Sequence, residues 1–210
     1  MHFTLTDLAA DITQNGAESG ADRVELELRE TRGTDRADFR FTAADNGGGM
    51  SEASLDRAVD PFVTDGVKHP GRRVGLGIPF LIQTALQSGG GWRIRSVKDG
   101  QAVLRGGGED PALNTGRGHA PGTTVEAWFD LRNVDTPPLG DIPGLFRSVL
   151  LFEGPGEIIL KRVRRGGGGE DLDYEVKKTE LAEALGGLED VSSLALLGKY
   201  LRSLENEDEK

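Results

Sequence analysis

From residue 5 the apolar positions Leu5, Leu8, Ala9 and Ile12 recur at the three- and four-residue spacing of a helix. The start of that helix is written locally: Thr4 stands as N-cap, Asp7 occupies the third helical position, and Phe3 is placed to pack on Leu8. Along another face Asp7, Asp11 and Asn15 recur every four residues, so Asp11 and Asn15 are neighbours. The period then drops to two. Val24, Leu26 and Leu28 alternate with charged residues, and Phe39, Phe41 and Ala43 do the same after a polar loop over 31–38. This predicts a hairpin whose second strand ends at Asp45.

Ser51 is placed to cap a short helix through Val59, which Asp60-Pro61 ends because proline disfavours a helical predecessor. The stretch 62–77 carries Gly66, Pro70, Gly71, Gly75 and Gly77 among Lys68, Arg72 and Arg73, a locally basic loop suited to a phosphate lid. Gly77-Ile78-Pro79 should open a helix that runs to Gly89, since proline is tolerated in a first turn. Trp92 and Ile94 alternate as a strand, Asp99-Gly100 is a hairpin turn, Ala102–Leu104 returns, and Val125, Ala127 and Phe129 share one face of a further strand.

After Leu131 the composition shifts. Beyond Pro137-Pro138 the spacing predicts a helix over Leu145–Phe152, strands around Ile158–Val163 and Tyr174–Val176 joined across Gly166–Gly169, and helices near Leu181 and over Leu194–Leu204. The expected fold is α+β: a two-layer sandwich with helices on one face of a mixed, mainly antiparallel sheet. Residues 1–131 form the first unit and 132–210 a small α/β extension. That extension reads as a cap on the sheet or as a docking surface for a partner or a second copy in a homodimer.

Charge and composition narrow the function. The chain has 210 residues, a net charge of −10 and 31 glycines. Such an acidic balance argues against nucleic acid as a partner, because phosphate backbones need clustered Lys and Arg. The absence of cysteine removes disulfides, thiolate metal sites and cysteine nucleophiles. No leader pattern or membrane-spanning run is visible, so no membrane partner and a cytoplasmic location are expected.

The candidate chemistry begins at Asp45-Asn46-Gly47-Gly48-Gly49-Met50, directly after a strand. Taken alone this is an ordinary turn or a ligand-contact loop, since glycine serves both. Its companions are Asp11-Ile12-Thr13-Gln14-Asn15, Asp60-Pro61-Phe62, Gly75-Leu76-Gly77 and Gly122-Thr123. Together and in this order they resemble the N-box, the glycine boxes and the proline-phenylalanine element of the GHKL, or Bergerat-fold, ATP-binding domain, over residues 1 to about 130.

The resemblance implies ATP and Mg2+ as cofactors. It implies Asn15 as magnesium ligand through a hard amide oxygen, and Asp45 as acceptor of the adenine amine, with Gly47 and Gly49 giving the purine close approach and Thr123 supporting it. Gly75, Leu76 and Gly77 would present amides to phosphate, with Lys68 and Arg73 as lid cations. Asp11 stands where the family carries a catalytic carboxylate, usually glutamate, and here it is one methylene shorter.

His2, His69 and His119 are isolated, and structural or solvated roles are expected of them. The domain begins almost at Met1, leaving no room for a phosphoacceptor helical hairpin. The chain is thus similar to stand-alone anti-sigma-type kinases, and to small histidine-kinase-like proteins encoded beside iron-hydrogenase components, which tend to continue with Pro-Leu-Gly-Asp as Pro138–Asp141 does. Two functions follow from the resemblance: a protein kinase acting on a partner protein in trans, or a non-catalytic or slowly hydrolysing nucleotide-dependent regulatory module of a larger complex such as a hydrogenase.

Overall fold

The computed structural model describes residues 4–62, 77–108, 121–167 and 171–205. Thr4 starts helix α1 (Leu5–Ala17) with a closed capping box: its hydroxyl accepts the Asp7 N–H at 3.1 Å, and the Asp7 carboxylate accepts the Thr4 N–H at 3.2 Å. The N–H groups of Leu5 and Thr6, which a helix start leaves without intrahelical partners, donate to the Pro138 and Leu139 carbonyls at 2.9 Å. The Pro-Pro-Leu-Gly-Asp segment is therefore part of the cap of α1. Gly140 in it has φ +94°, and a Cβ there would lie 2.0 Å from the Thr6 hydroxyl.

The chain continues through β1 (Arg23–Arg32), β2 (Ala37–Asp45), α2 (Glu52–Val59), α3 (Gly77–Gln87), β3 (Gly91–Lys98), β4 (Gln101–Gly107) and β5 (Gly122–Asp130). The extension supplies α4 (Ile142–Leu150), β6 (Glu157–Gly166), β7 (Leu172–Lys177), α5 (Lys178–Leu185) and α6 (Val191–Glu205). Among the described residues the strands form one seven-stranded sheet in the order β4-β3-β5-β2-β1-β6-β7, antiparallel throughout except for the parallel pair β1 and β6. The expected α+β class and mixed, mainly antiparallel sheet are observed.

Several boundaries differ from the expectation. The first hairpin pairs out to Arg32 and Ala37, shortening the loop to 33–36, where Gly33 N–H donates to the Arg36 carbonyl at 2.7 Å. Helix α3 stops at Gln87. Helix α4 starts at Ile142, earlier than the apolar spacing suggested, because the Asp141 carboxylate caps it by accepting the Gly144 N–H at 3.0 Å, with Pro143 in the first turn.

Alternation sets the two faces of the sheet. Leu26 and Leu28, Phe39 and Phe41, Ile94, Phe129 and Leu160 are fully buried, and the Phe41 ring stacks on Phe129 at 6.3 Å. Onto this face pack Leu5, Leu8 and Ile12 of α1, Leu81 of α3, Phe146 and Val149 of α4, and Leu197 and Leu201 of α6. The other face is covered by strand side chains: Arg40 and Arg93 lie 5.1 and 5.9 Å from the Trp128 ring, and Arg93 pairs with Glu126 at 3.0 Å.

A cluster of charges sits on the buried face. Arg162 on β6, 1% exposed, donates to Glu30 of β1 and, at 3.2 Å, to Glu205 at the end of α6, which also accepts from the Tyr174 hydroxyl at 2.8 Å. Burial alone would raise the Glu30 pKa, but the Arg162 and Arg32 guanidiniums hold it below the ordinary carboxylate value. This cluster ties the extension to the first hairpin at the end of β1 away from Asp45.

Candidate functional site

At the other end of the sheet, register brings three polar side chains into one row. Thr123 at the start of β5 pairs with Asp45 on one side and with Ser96 on the other. Cross-strand partners project to the same face, here the helix-covered one, so a hydroxyl, a second hydroxyl and a carboxylate line the floor of a site where an apolar core would otherwise continue. Val24, the next partner of Asp45, is buried and closes the row.

Asp45 is partly buried, and burial pushes its carboxyl pKa above the ordinary 3.8. The Gly47 N–H at 2.9 Å, the Ser19 hydroxyl at 3.1 Å and the Thr123 N–H partly oppose that shift. The carboxylate is thus fixed in direction by Ser19 just after α1, Gly47 in the loop after β2 and Thr123 on β5. Above it lies the last turn of α1: a Cβ at Gly16 would meet the Asp45 Cβ at 3.3 Å, so the helix rests directly on the carboxylate.

The glycines of the loop after β2 serve different ends. Gly49 has φ +66°, and a Cβ there would stand 2.0 Å from the Val97 carbonyl oxygen, so the fold itself requires glycine. At Gly47 an added Cβ would meet the end of a side chain, the Ser19 hydroxyl, at 2.1 Å. Gly122 passes so close to Asp45 that its Cβ would fall 2.0 Å from the Asp45 carbonyl, at φ +128°. Asn46 turns away and accepts the N–H groups of Asp22 and Arg23 at 3.0 and 2.8 Å, locking the loop to the start of β1.

A second cluster lies toward the end of α1. Asp11 is half-buried one turn before Asn15, which is exposed. The Asn15 side-chain nitrogen, Nδ2, lies 3.9 Å from where a Cβ would stand on Gly77, the first residue of α3, so the Asn15 amide group sits beside that helix start. Helix amides at that N-terminus and a hard amide oxygen beside them suit an anionic group and a cation bound to it. A single neutral oxygen fits magnesium, which keeps several waters and takes its other ligands from phosphate. Among the described residues no group of three or more His, Asp or Glu side chains is placed to hold a metal ion.

The structure therefore brings Asp45, Gly47, Gly49 and Thr123 together at the end of the sheet, and Asp11, Asn15 and Gly77 beside them where α1 meets α3. Lys68, Arg73, Gly75 and Leu76, together with Phe3, His2, His69 and His119, lie outside the described residues. Sequence reasoning missed Ser19 and Ser96. Ser19 follows a helix end among polar residues and gives no signal. Ser96 does, because the alternation Trp92, Ile94 places it on the core face, where a serine needs a partner. One cleft, of about 610 Å³, lies behind the glycine loop beside Met50, Lys98 and Gln101; another, of about 720 Å³, lies at the opposite end of β1 beside Arg162, Arg164 and Arg202. No helix among the described residues is long and apolar enough to cross a membrane.

A model of the family described as histidine kinase-, DNA gyrase B- and HSP90-like ATPases matches residues 3–133. Among solved structures the chain is similar to the N-terminal domain of a DNA repair protein, with 10% identity and a TM-score of 0.49 over 91% of this chain and 58% of that one. It is also similar to the topoisomerase IV ATP-binding domain of Francisella tularensis in complex with a small-molecule inhibitor, with 16% identity and a TM-score of 0.41 over 83% and 88% of the two chains. The chain thus spans little more than half the length of the first of these structures. No curated protein matches it.

Proposed function

Because the chain belongs to the family of histidine kinase-, DNA gyrase B- and HSP90-like ATPases, we propose that it binds ATP with magnesium at the end of the sheet and passes the terminal phosphoryl group to a partner protein. The observation that carries the ATP reading is the Asp45–Thr123 pair, whose carboxylate and hydroxyl stand side by side on adjacent strands. Adenine offers an amine donor and a ring-nitrogen acceptor along one edge, and this pair supplies the complementary acceptor and donor.

In this reading Gly77 and the first turn of α3 direct amides at the phosphates, and Asn15 gives its amide oxygen to the magnesium ion. The ion supplies charge neutralisation across the phosphate oxygens. Asp11, one turn away on the same helix, is the base: it takes the proton of the acceptor side chain as the acceptor oxygen or nitrogen bonds to the terminal phosphorus and the bond to the ADP oxygen breaks. Positioning and charge neutralisation supply most of the rate.

A second reading, a nucleotide-gated regulatory module, is favoured by one feature: residue 11 is aspartate, with a shorter reach than the glutamate usual at that position. Incubating the full chain with magnesium, terminally labelled ATP and host lysate separates the two. Label on one protein, lost in Asp11→Asn, supports the kinase. Free phosphate alone, lost in the same variant, indicates hydrolysis. Tight binding without turnover leaves the regulatory module.

A further inference from the structure

Ser96 is fully buried on the core face of β3, and its hydroxyl lies 2.7 Å from the Met50 N–H, 2.8 Å from the Thr123 hydroxyl and 3.3 Å from the Gly122 carbonyl. It joins the end of the glycine loop to the start of β5, and neither contact is part of the sheet ladder. We propose that Ser96 is a positioning residue for base recognition, which sets the direction in which the Thr123 hydroxyl donates. The proposal rests on the ATP reading above and adds how this chain selects the base.

The Met50 N–H occupies one acceptor position of the Ser96 oxygen, and the Ser96 hydroxyl has a single proton to give. The nearer of its two acceptors is the Thr123 oxygen. With that oxygen already accepting, the proton of Thr123 itself is directed into the site, beside the Asp45 carboxylate. The pair then reads donor next to acceptor, complementary to the amine and N1 of adenine, directly or through one water. Guanine presents the reverse pattern, with a carbonyl toward the carboxylate and an N1–H toward the Thr123 proton, and both contacts repel. The opposite relay, from Thr123 to Ser96 to the Gly122 carbonyl, uses the longer contact and would make Thr123 an acceptor, which an adenine N1 would not satisfy.

The test compares ATP with 1-deaza-ATP, which keeps the amine but replaces N1 by a C–H. Full-length wild-type protein should bind ATP about 3- to 10-fold more tightly than the deaza analogue, the size of one hydrogen bond. Ser96→Ala should lower ATP affinity by a similar factor while leaving 1-deaza-ATP nearly unchanged. Thr123→Val should behave alike, and the double variant should lose no more than either single one. A merely structural role for Ser96 would weaken both nucleotides equally. Should Ser96→Ala fail to fold, Ser96→Cys, which keeps the shape but is a much weaker donor, takes its place in the same comparison with the same expected outcome. Equal wild-type affinity for the two nucleotides, or equal losses for both in the variants, overturns the proposal while leaving ATP binding intact. Failure of the wild type to bind either nucleotide instead removes the reading on which it rests.

Discussion

At the scale of single residues, Asp45 carries a measurable signature. Its pKa is raised by burial, and only the ionised carboxylate is a full acceptor for an amine, so protons compete with the nucleotide as pH falls. ATP affinity of the wild type should therefore decline on acidification with a midpoint above 3.8, whereas Asp45→Asn should show a flatter profile in the same titration. The sign for stability is opposite. A raised folded-state pKa contributes stability below the ordinary value and loses it as pH rises through the raised one, so the ionised form burdens the fold at neutral pH. Asp45→Asn should melt no lower than wild type at pH 7, because an asparagine oxygen can still accept from Gly47 and Ser19. The glycines separate in the same way. Gly49→Ala forces a Cβ onto the Val97 carbonyl at positive φ and should cost on the order of 2 kcal/mol or more in denaturant unfolding. Gly47→Ala sets a Cβ 2.1 Å from the Ser19 hydroxyl, 2.9 Å from the Ser19 Cβ and 3.0 Å from the Asp45 carboxylate oxygen, and should cost less stability than Gly49→Ala, because side chains can give way, while weakening nucleotide binding through displacement of Ser19 and Asp45.

At the scale of elements, what could be read from the sequence was what is encoded locally. Thr4 and Asp7 announce α1 within four residues, and the alternation of Val24, Leu26 and Leu28 against Phe39, Phe41 and Ala43 specifies both strands and their buried faces. The apolar run Ile158–Leu160 marks a strand but contains nothing that selects β1 as its parallel partner, since that pairing is a long-range choice made by the shared core. The same holds for the cap of α1, completed by Pro138 and Leu139 from a distant part of the chain. Asp45 and Thr123 were legible because glycine boxes flank them; Ser19 was not, because its role depends on where α1 ends above β2. The Gly140 position tests the long-range cap. Gly140→Ala sets a Cβ against Thr4 and Thr6 at positive φ, and thermal unfolding should show a clear loss of stability, on the order of 1–3 kcal/mol.

At the scale of the whole molecule, the sheet has two polar ends, one proposed above for nucleotide and one built on a buried ion cluster. The polar row Ser96, Thr123 and Asp45 occupies the first, with α1 and α3 closing over it. At the second, Glu30, Arg162 and Glu205 join β1, β6 and α6. Arg162→Met leaves Glu30 buried without its main partner and should cost about 3–5 kcal/mol, whereas Glu30→Met with Arg162→Met should recover most of that loss, as measured by chemical denaturation. The depressed pKa of Glu30 means its contribution is present above the ordinary 4.5 and is lost as pH falls through the lower folded-state value, so this end should loosen in acid.

If the row at the end of the sheet, with Asp45 at its heart, is the base end of an ATP site, ATP affinity depends on the Asp45 carboxylate. Calorimetric titration of the full chain with ATP in magnesium, wild type against Asp45→Asn, tests it most directly. Saturable one-to-one binding by the wild type, weakened about 10-fold or more in a variant that melts no lower, is the expected result. Undiminished ATP affinity in Asp45→Asn would contradict the account.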